Sequence, residues 1–127
     1  MSAQNVLSVG DKWYSYSGEI QGDVSVPVSI SMILIPNTGL RDSLVQFQPF
    51  YGKRVSGAGG SNLGYQVKLN DDVIIDSQNI YGTDSPVSNG NWPSLFIPRQ
   101  SKLEVISLNT SSNNNQIRGC NIIGYYL

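Results

Sequence analysis

Apolar and polar residues alternate with period two through Val24–Ile35. Val24, Val26, Val28, Ile30, Met32 and Leu34 are set against Ser25, Pro27, Ser29 and Ser31. Successive side chains of a strand point to opposite faces, so this pattern predicts a strand with Val26, Val28, Ile30 and Met32 in the core and the serines outward. Pro27 has no N–H to give to a ladder and belongs at an edge or bulge. Pro36-Asn37-Thr38-Gly39 ends the run with turn chemistry. A second strand is predicted over Leu44–Tyr51, with Val45, Phe47 and Tyr51 on one face and Gln46 and Gln48 on the other. In a third, Tyr65, Val67 and Leu69 alternate with Gln66 and Lys68, and Asn70-Asp71-Asp72 turns it into Val73–Asp76 as a hairpin. Trp92–Pro98, Lys102–Leu108 and Ile117–Leu127 complete the set, with a weaker strand at Lys12–Ser17. Gly52–Gly64 and Asp84–Asn91 read as loops, and residues 1–11 as an extended N-terminal arm.

Helix formers are scarce. Alanine occurs only at Ala3 and Ala58, and glycines and prolines interrupt most windows long enough for three helical turns. The expectation is one all-β domain over 1–127. Its predicted form is an antiparallel two-sheet β-sandwich, jelly-roll-like, of about eight strands. At 127 residues and 13.9 kDa the chain is long enough to bury a core without covalent staples.

Composition narrows the chemistry. There is no histidine, which excludes a His base, a Ser-His or Cys-His pair and a His metal ligand. One cysteine, Cys120, excludes an intrachain disulfide and a Cys-rich zinc site. Charged residues make up 13% of the chain and the net charge is −1, which predicts binding to neither nucleic acid nor an anionic membrane. The opening Met1-Ser2-Ala3-Gln4-Asn5 has no basic and apolar leader, so synthesis in a cytoplasm is expected. Serine, threonine, asparagine and glycine together fill 46 positions, so the polar surface is one of hydroxyls and amides.

Individual features are weighed against that background. Asp71, Asp72 and Asp76 form a carboxylate cluster, but the turn position of the first two explains them without a cation. Gly57-Ala58-Gly59-Gly60 lacks the Gly-Lys-Ser/Thr of a phosphate loop and reads as a plain flexible loop, with Lys53 and Arg54 before it allowing a contact role. Cys120, inside a strand, reads as a small buried apolar residue. Asn109-Thr110-Ser111 fits a glycosylation sequon but reads as a hairpin loop. The pairs Trp13-Tyr14, Phe50-Tyr51 and Tyr125-Tyr126 put one aromatic on each face of a strand. Tyr81 and Trp92 lie near loops, where interfaces draw their anchors. The candidate partner contacts are therefore Trp92, Tyr81, Arg54 and Lys53. No catalytic residue, cofactor or metal site is expected, and the chain is not expected to be an enzyme.

The last third carries a resemblance. Pro93-Ser94-Leu95-Phe96-Ile97-Pro98-Arg99, then Lys102–Asn109 with its Leu-x-Val, then Ile117–Leu127 ending Ile-Ile-Gly-Tyr-Tyr-Leu, resemble the end of small jelly-roll virion proteins of tailed bacteriophages. Among these the chain looks most like the capsid decoration, or cement, proteins. The resemblance implies a non-enzymatic virion component that binds and stabilises a shell of major capsid protein, as a homo-oligomer and most often a trimer. It carries over no functional residue. The alternative to this leading reading is a carbohydrate-binding or lectin-like module, for example on a phage tail or receptor-binding part, which also uses a sandwich with outward aromatics.

Overall fold

The structure, a computed structural model, describes residues 7–18, 20–21, 28–54, 61–81, 87–88, 94–109 and 116–127. For 20–21, 28, 51–54, 61–63, 77–81, 87–88, 109 and 116–118 it describes the backbone path alone. Eleven strands occur among these residues: β1 (Leu7–Val9), β2 (Lys12–Tyr16), β3 (Ile20–Gln21), β4 (Val28–Ile35), β5 (Ser43–Arg54), β6 (Ser61–Leu69), β7 (Asp72–Tyr81), β8 (Val87–Ser88), β9 (Leu95–Ile97), β10 (Leu103–Asn109) and β11 (Gln116–Tyr126). Among the described residues no helix is long and apolar enough to cross a membrane.

The strands form two antiparallel sheets. The larger runs β1-β2-β11-β5-β8, with β3 also on β11 and β9 also on β5; the smaller runs β4-β10-β6-β7. The pairs are nested in the chain: β2 with β11, β4 with β10, β5 with β8 and β9, β6 with β7. A nested hairpin rolled into two sheets is a jelly roll. The eight expected strands become eleven because β8 and β9 share one position beside β5, β3 continues beside β11, and Leu7–Val9 of the expected arm forms the edge strand β1.

The pleat decides the core. In the larger sheet Trp13 and Ser15, Ser43, Val45 and Phe47, and Cys120 and Ile122 face inward. Met32, Ile33, Ile35, Tyr65, Val67, Leu103 and Val105 meet them from the smaller sheet. Tyr65, though fully buried, satisfies its hydroxyl across the core. Its oxygen lies 2.7 Å from the Phe50 carbonyl and 3.0 Å from the Gly119 carbonyl, tying β6 to β5 and β11.

The expected phase of β4 needs correction. Val105 faces Ile33 and Ile106 faces Ser31, so Met32 is an extra residue in the ladder. This bulge buries Met32 and Ile33 together and reverses the alternation beyond them. Ile35 is therefore core, while Ile30 and Leu34 are only half-buried. Val24 and Val26 lie outside the described residues. The expected loop Gly52–Gly64 is shorter than composition implied, because β5 runs to Arg54 and β6 starts at Ser61. Likewise Val87–Ser88, inside the expected loop Asp84–Asn91, pairs with Phe50 and Tyr51.

Two glycines of β11 are set by what covers them. A Cβ on Gly124 would lie 2.0–2.5 Å from the Trp13 indole, and one on Gly119 would lie 2.3 Å from the Phe50 ring. Gly124→Ala is expected to destabilise by about 3 kcal/mol, the upper part of the overpacking range, as measured by chemical denaturation. The Ser15 hydroxyl is buried and has no hydrogen-bond partner among the described residues. Ser15→Ala should leave stability unchanged or raise it by about 1 kcal/mol in the same assay, since an unpaired buried hydroxyl costs free energy.

Candidate functional site

At one end of the sandwich the connections are tight. Asn70 and Asp71, with φ of 50° and 71°, make a two-residue hairpin turn. Lys102 clamps that turn: its backbone N–H donates to the Asn70 side chain at 2.9 Å and its Nζ donates to Asp71 at 2.8 Å. The lysine holds the Asp71 carboxyl below the usual carboxylate range, and Asp71 raises the lysine in return. The carboxylate cluster is thus opened up by structure, Asp71 facing a lysine while Asp72 and Asp76 are exposed on β7. Nearby, Asp42 accepts the Arg99 backbone N–H at 2.8 Å, which with the Arg99 guanidinium lowers its pKa.

Cys120 is fully buried between the sheets, and burial pushes its thiol up to about 12. Such a thiol is neither nucleophile nor ligand at neutral pH.

None of the four contact residues expected from sequence has a described side chain. Trp92 lies outside the described residues. Lys53, Arg54 and Tyr81 are described as backbone only: Lys53 and Arg54 close β5, with Arg54 opposite Gln116, and Tyr81 closes β7 opposite Ser61. Their strand registers bring all three to the end of the sandwich opposite the Asn70-Asp71 turn; their side chains are outside the described residues.

The surface that stands out is the outer face of the larger sheet. Residues directly opposite across a ladder share a face, so register alone assembles it. One row runs Val9, Lys12, Tyr125, Leu44, Phe96. The next runs Leu7, Tyr14, Ile123, Gln46, and a third Tyr16, Asn121, Gln48. The Phe50 ring lies over Gly119 in the row beyond. Leu7 and Val9 are each 61% exposed, Phe96 55% and Tyr16 54%. The Tyr14 and Tyr16 rings are near parallel, 6.2 Å apart. Lys12 is the one charge in these rows, and its Nζ sits 5.6 Å from the Tyr125 ring centroid. The outer face of the smaller sheet differs: Glu104 stands opposite Lys68, Gln66 opposite Asp76, and Ser31 donates to Glu104 at 2.6 Å. Mixed charge is ordinary solvated surface, whereas a contiguous apolar patch marks an interaction site. Sequence reasoning found the ingredients, since the outward members of Trp13-Tyr14 and Tyr125-Tyr126 are here. It missed the assembly, because β1, β2, β5, β9 and β11 come from both ends of the chain. The repeat Tyr14-x-Tyr16 was the available signal.

Sequence comparison matches no protein family and no curated protein. Structure comparison does find likeness. A chain in the crystal structure of the T13 viral particle of infectious bursal disease virus aligns with a TM-score of 0.60 at 12% identity, over 91% of this chain and 31% of that one. A chain of T=1 particles derived from infectious bursal virus gives 0.50 at 12% identity, over the same shares. The chain thus spans about a third of the length of those chains. Its fold is the capsid-like β fold they contain.

Cys120 gives a test of this packing. It should resist thiol reagents in the native protein and react fully in denaturant. With the folded thiol near 12 and an ordinary value of 9.0 unfolded, the unfolded state loses its proton first. Stability should therefore fall as pH rises from about 9 toward 12, with a limiting slope near 1.4 kcal/mol per pH unit. Cys120→Ala should abolish that part of the alkaline loss in denaturation curves compared across pH.

Proposed function

We propose that the chain is a non-enzymatic structural component of a virion. Within that role it is a capsid decoration protein that self-associates and binds a shell of major capsid protein. The observation that carries the reading is the jelly-roll strand order, aligned over 91% of the chain with a chain of an icosahedral viral particle. The decoration role adds the likeness of the closing strands to tailed-phage cement proteins. It also draws on an outer sheet face whose exposed residues suit contact rather than catalysis. A histidine-free sequence with its one thiol sealed in the core fits the absence of chemistry. The physical task is then linkage: a protein that binds the assembled shell and not its dissociated subunits shifts the equilibrium toward the shell. The shift is about 2.7 kcal/mol per site at a hundredfold excess over Kd.

Purified protein mixed with shells that lack it is expected to co-sediment with them and to raise the temperature at which they come apart. Protein that stays in the supernatant and leaves shell disruption unchanged would remove the decoration role. Retention on immobilised neutral glycans, lost in Tyr16→Ala, would move the assignment to the carbohydrate-binding alternative.

A further inference from the structure

We propose that the outer face of the larger sheet is where two copies of this chain pair, sheet against sheet. This inference goes beyond the virion reading and does not depend on it, since pairing is measured on the purified chain with no shell present.

The area fits. Leu7, Val9, Tyr16, Leu44, Phe96 and Tyr125 are between 37% and 61% exposed, and all lie on this face. With roughly 150–250 Å² for each aromatic side chain and somewhat less for each aliphatic one, they offer on the order of 500 Å² of apolar surface. A standard interface takes about 800 Å² from each partner, and the core of a homodimer interface is about two thirds apolar. The six side chains supply that apolar share, and the amides of Gln46, Gln48 and Asn121 with Lys12 supply the rest.

The charge pattern fits a second copy. Gln46, Gln48 and Asn121 are half-buried amides, able both to donate and to accept, so identical copies satisfy one another. Lys12 lies one strand and two residues from the centre of the face at Ile123. A twofold axis in the plane of contact through Ile123, running along or across the strands, sets the two Lys12 positions roughly 10–14 Å apart in that plane, at strand spacings of about 4.8 Å and residue rises of about 3.4 Å. That is beyond the Debye length of about 8 Å at physiological salt, so with the ammonium groups kept in solvent at the edge of the contact their repulsion is largely screened. Each Lys12 also keeps its own Tyr125 ring.

Shape points the same way. The face is a pleated surface five strands wide, β1-β2-β11-β5-β9, rather than a cleft. Two copies carry the same hand and degree of twist, the condition for aligned sheet-on-sheet packing. A self-complementary face closes with a twofold and is used up in doing so, which favours a dimer over the trimer that the resemblance implies. Edge exposure is handled separately: β7, at the rim of the smaller sheet, carries a bulge at Ile74 and the exposed Asp72 and Asp76, features that discourage edge-to-edge pairing.

Sedimentation equilibrium of the purified chain over a concentration series tests the pairing. The expected result is a reversible shift from 13.9 kDa toward twice that mass. Tyr16→Lys and Leu44→Lys should each weaken dimerisation at least tenfold. Val73→Lys, on the exposed rim of the smaller sheet, should leave it unchanged, and all three should keep the wild-type far-UV circular dichroism and, at dilutions where every chain is monomeric, the wild-type melting temperature. A wild-type chain monomeric throughout the series would overturn the proposal. So would a trimer, or a dimer unaffected by Tyr16→Lys and Leu44→Lys.

Discussion

The indole of Trp13 holds the larger sheet in its working arrangement. It reaches from β2 across the bare backbone of Gly124 on β11, and its Nε1 donates to the Ser43 hydroxyl on β5 at 3.0 Å. One side chain thus straps three neighbouring strands, and it can do so only because residue 124 has no Cβ. The cost of burying the indole N–H is offset by the serine, itself fully buried. With Trp13 locked inward, the pleat forces Lys12, Tyr14 and Tyr16 outward. The same logic on β11 sends Tyr125 and Ile123 out because Gly124 and Ile122 face in. The aromatic outer face is the obligatory reverse side of this core.

Tyr65 performs the matching task between sheets. A hydrophobic sandwich fixes the distance between its layers well but their lateral register poorly, because dispersion contacts are not directional. The bonds from the Tyr65 hydroxyl to carbonyls of β5 and β11 add direction, at the place where the β5–β11 ladder approaches its register shift. Phe50, whose carbonyl takes one of those bonds, lays its ring over Gly119 on the other side of the sheet. The two faces are coupled through a single backbone segment.

Much of this was legible in the sequence, and the failures have physical causes. Tyr65, Val67, Asn70 and Asp71 behave as their local pattern dictates, because period-two alternation and hairpin turns are decided within a few residues. The jelly-roll class followed from strand spacing and the lack of helix formers. The phase of β4 was not legible, since the bulge at Met32 is created by its pairing with β10, about seventy residues away. Lys53 and Arg54 were read as loop because glycines follow them, yet β5 holds its backbone to Arg54 by pairing with β11. The interaction face was hidden for the same reason: Leu7, Tyr14, Leu44, Phe96 and Tyr125 become neighbours only once the nested pairs close.

The fold, the polar restraint of the core and the composition of the two outer faces lead to one claim: the larger sheet's outer face is covered in the assembled state. Hydroxyl-radical footprinting read by mass spectrometry tests it residue by residue. Comparing dilute free protein with the assembled form, the account predicts strong protection of Tyr14, Tyr16, Tyr125 and Phe96, with Val73 and Ile74 on β7 labelled as before. Unchanged labelling of those four aromatics in an assembly that protects Val73 and Ile74 would contradict it.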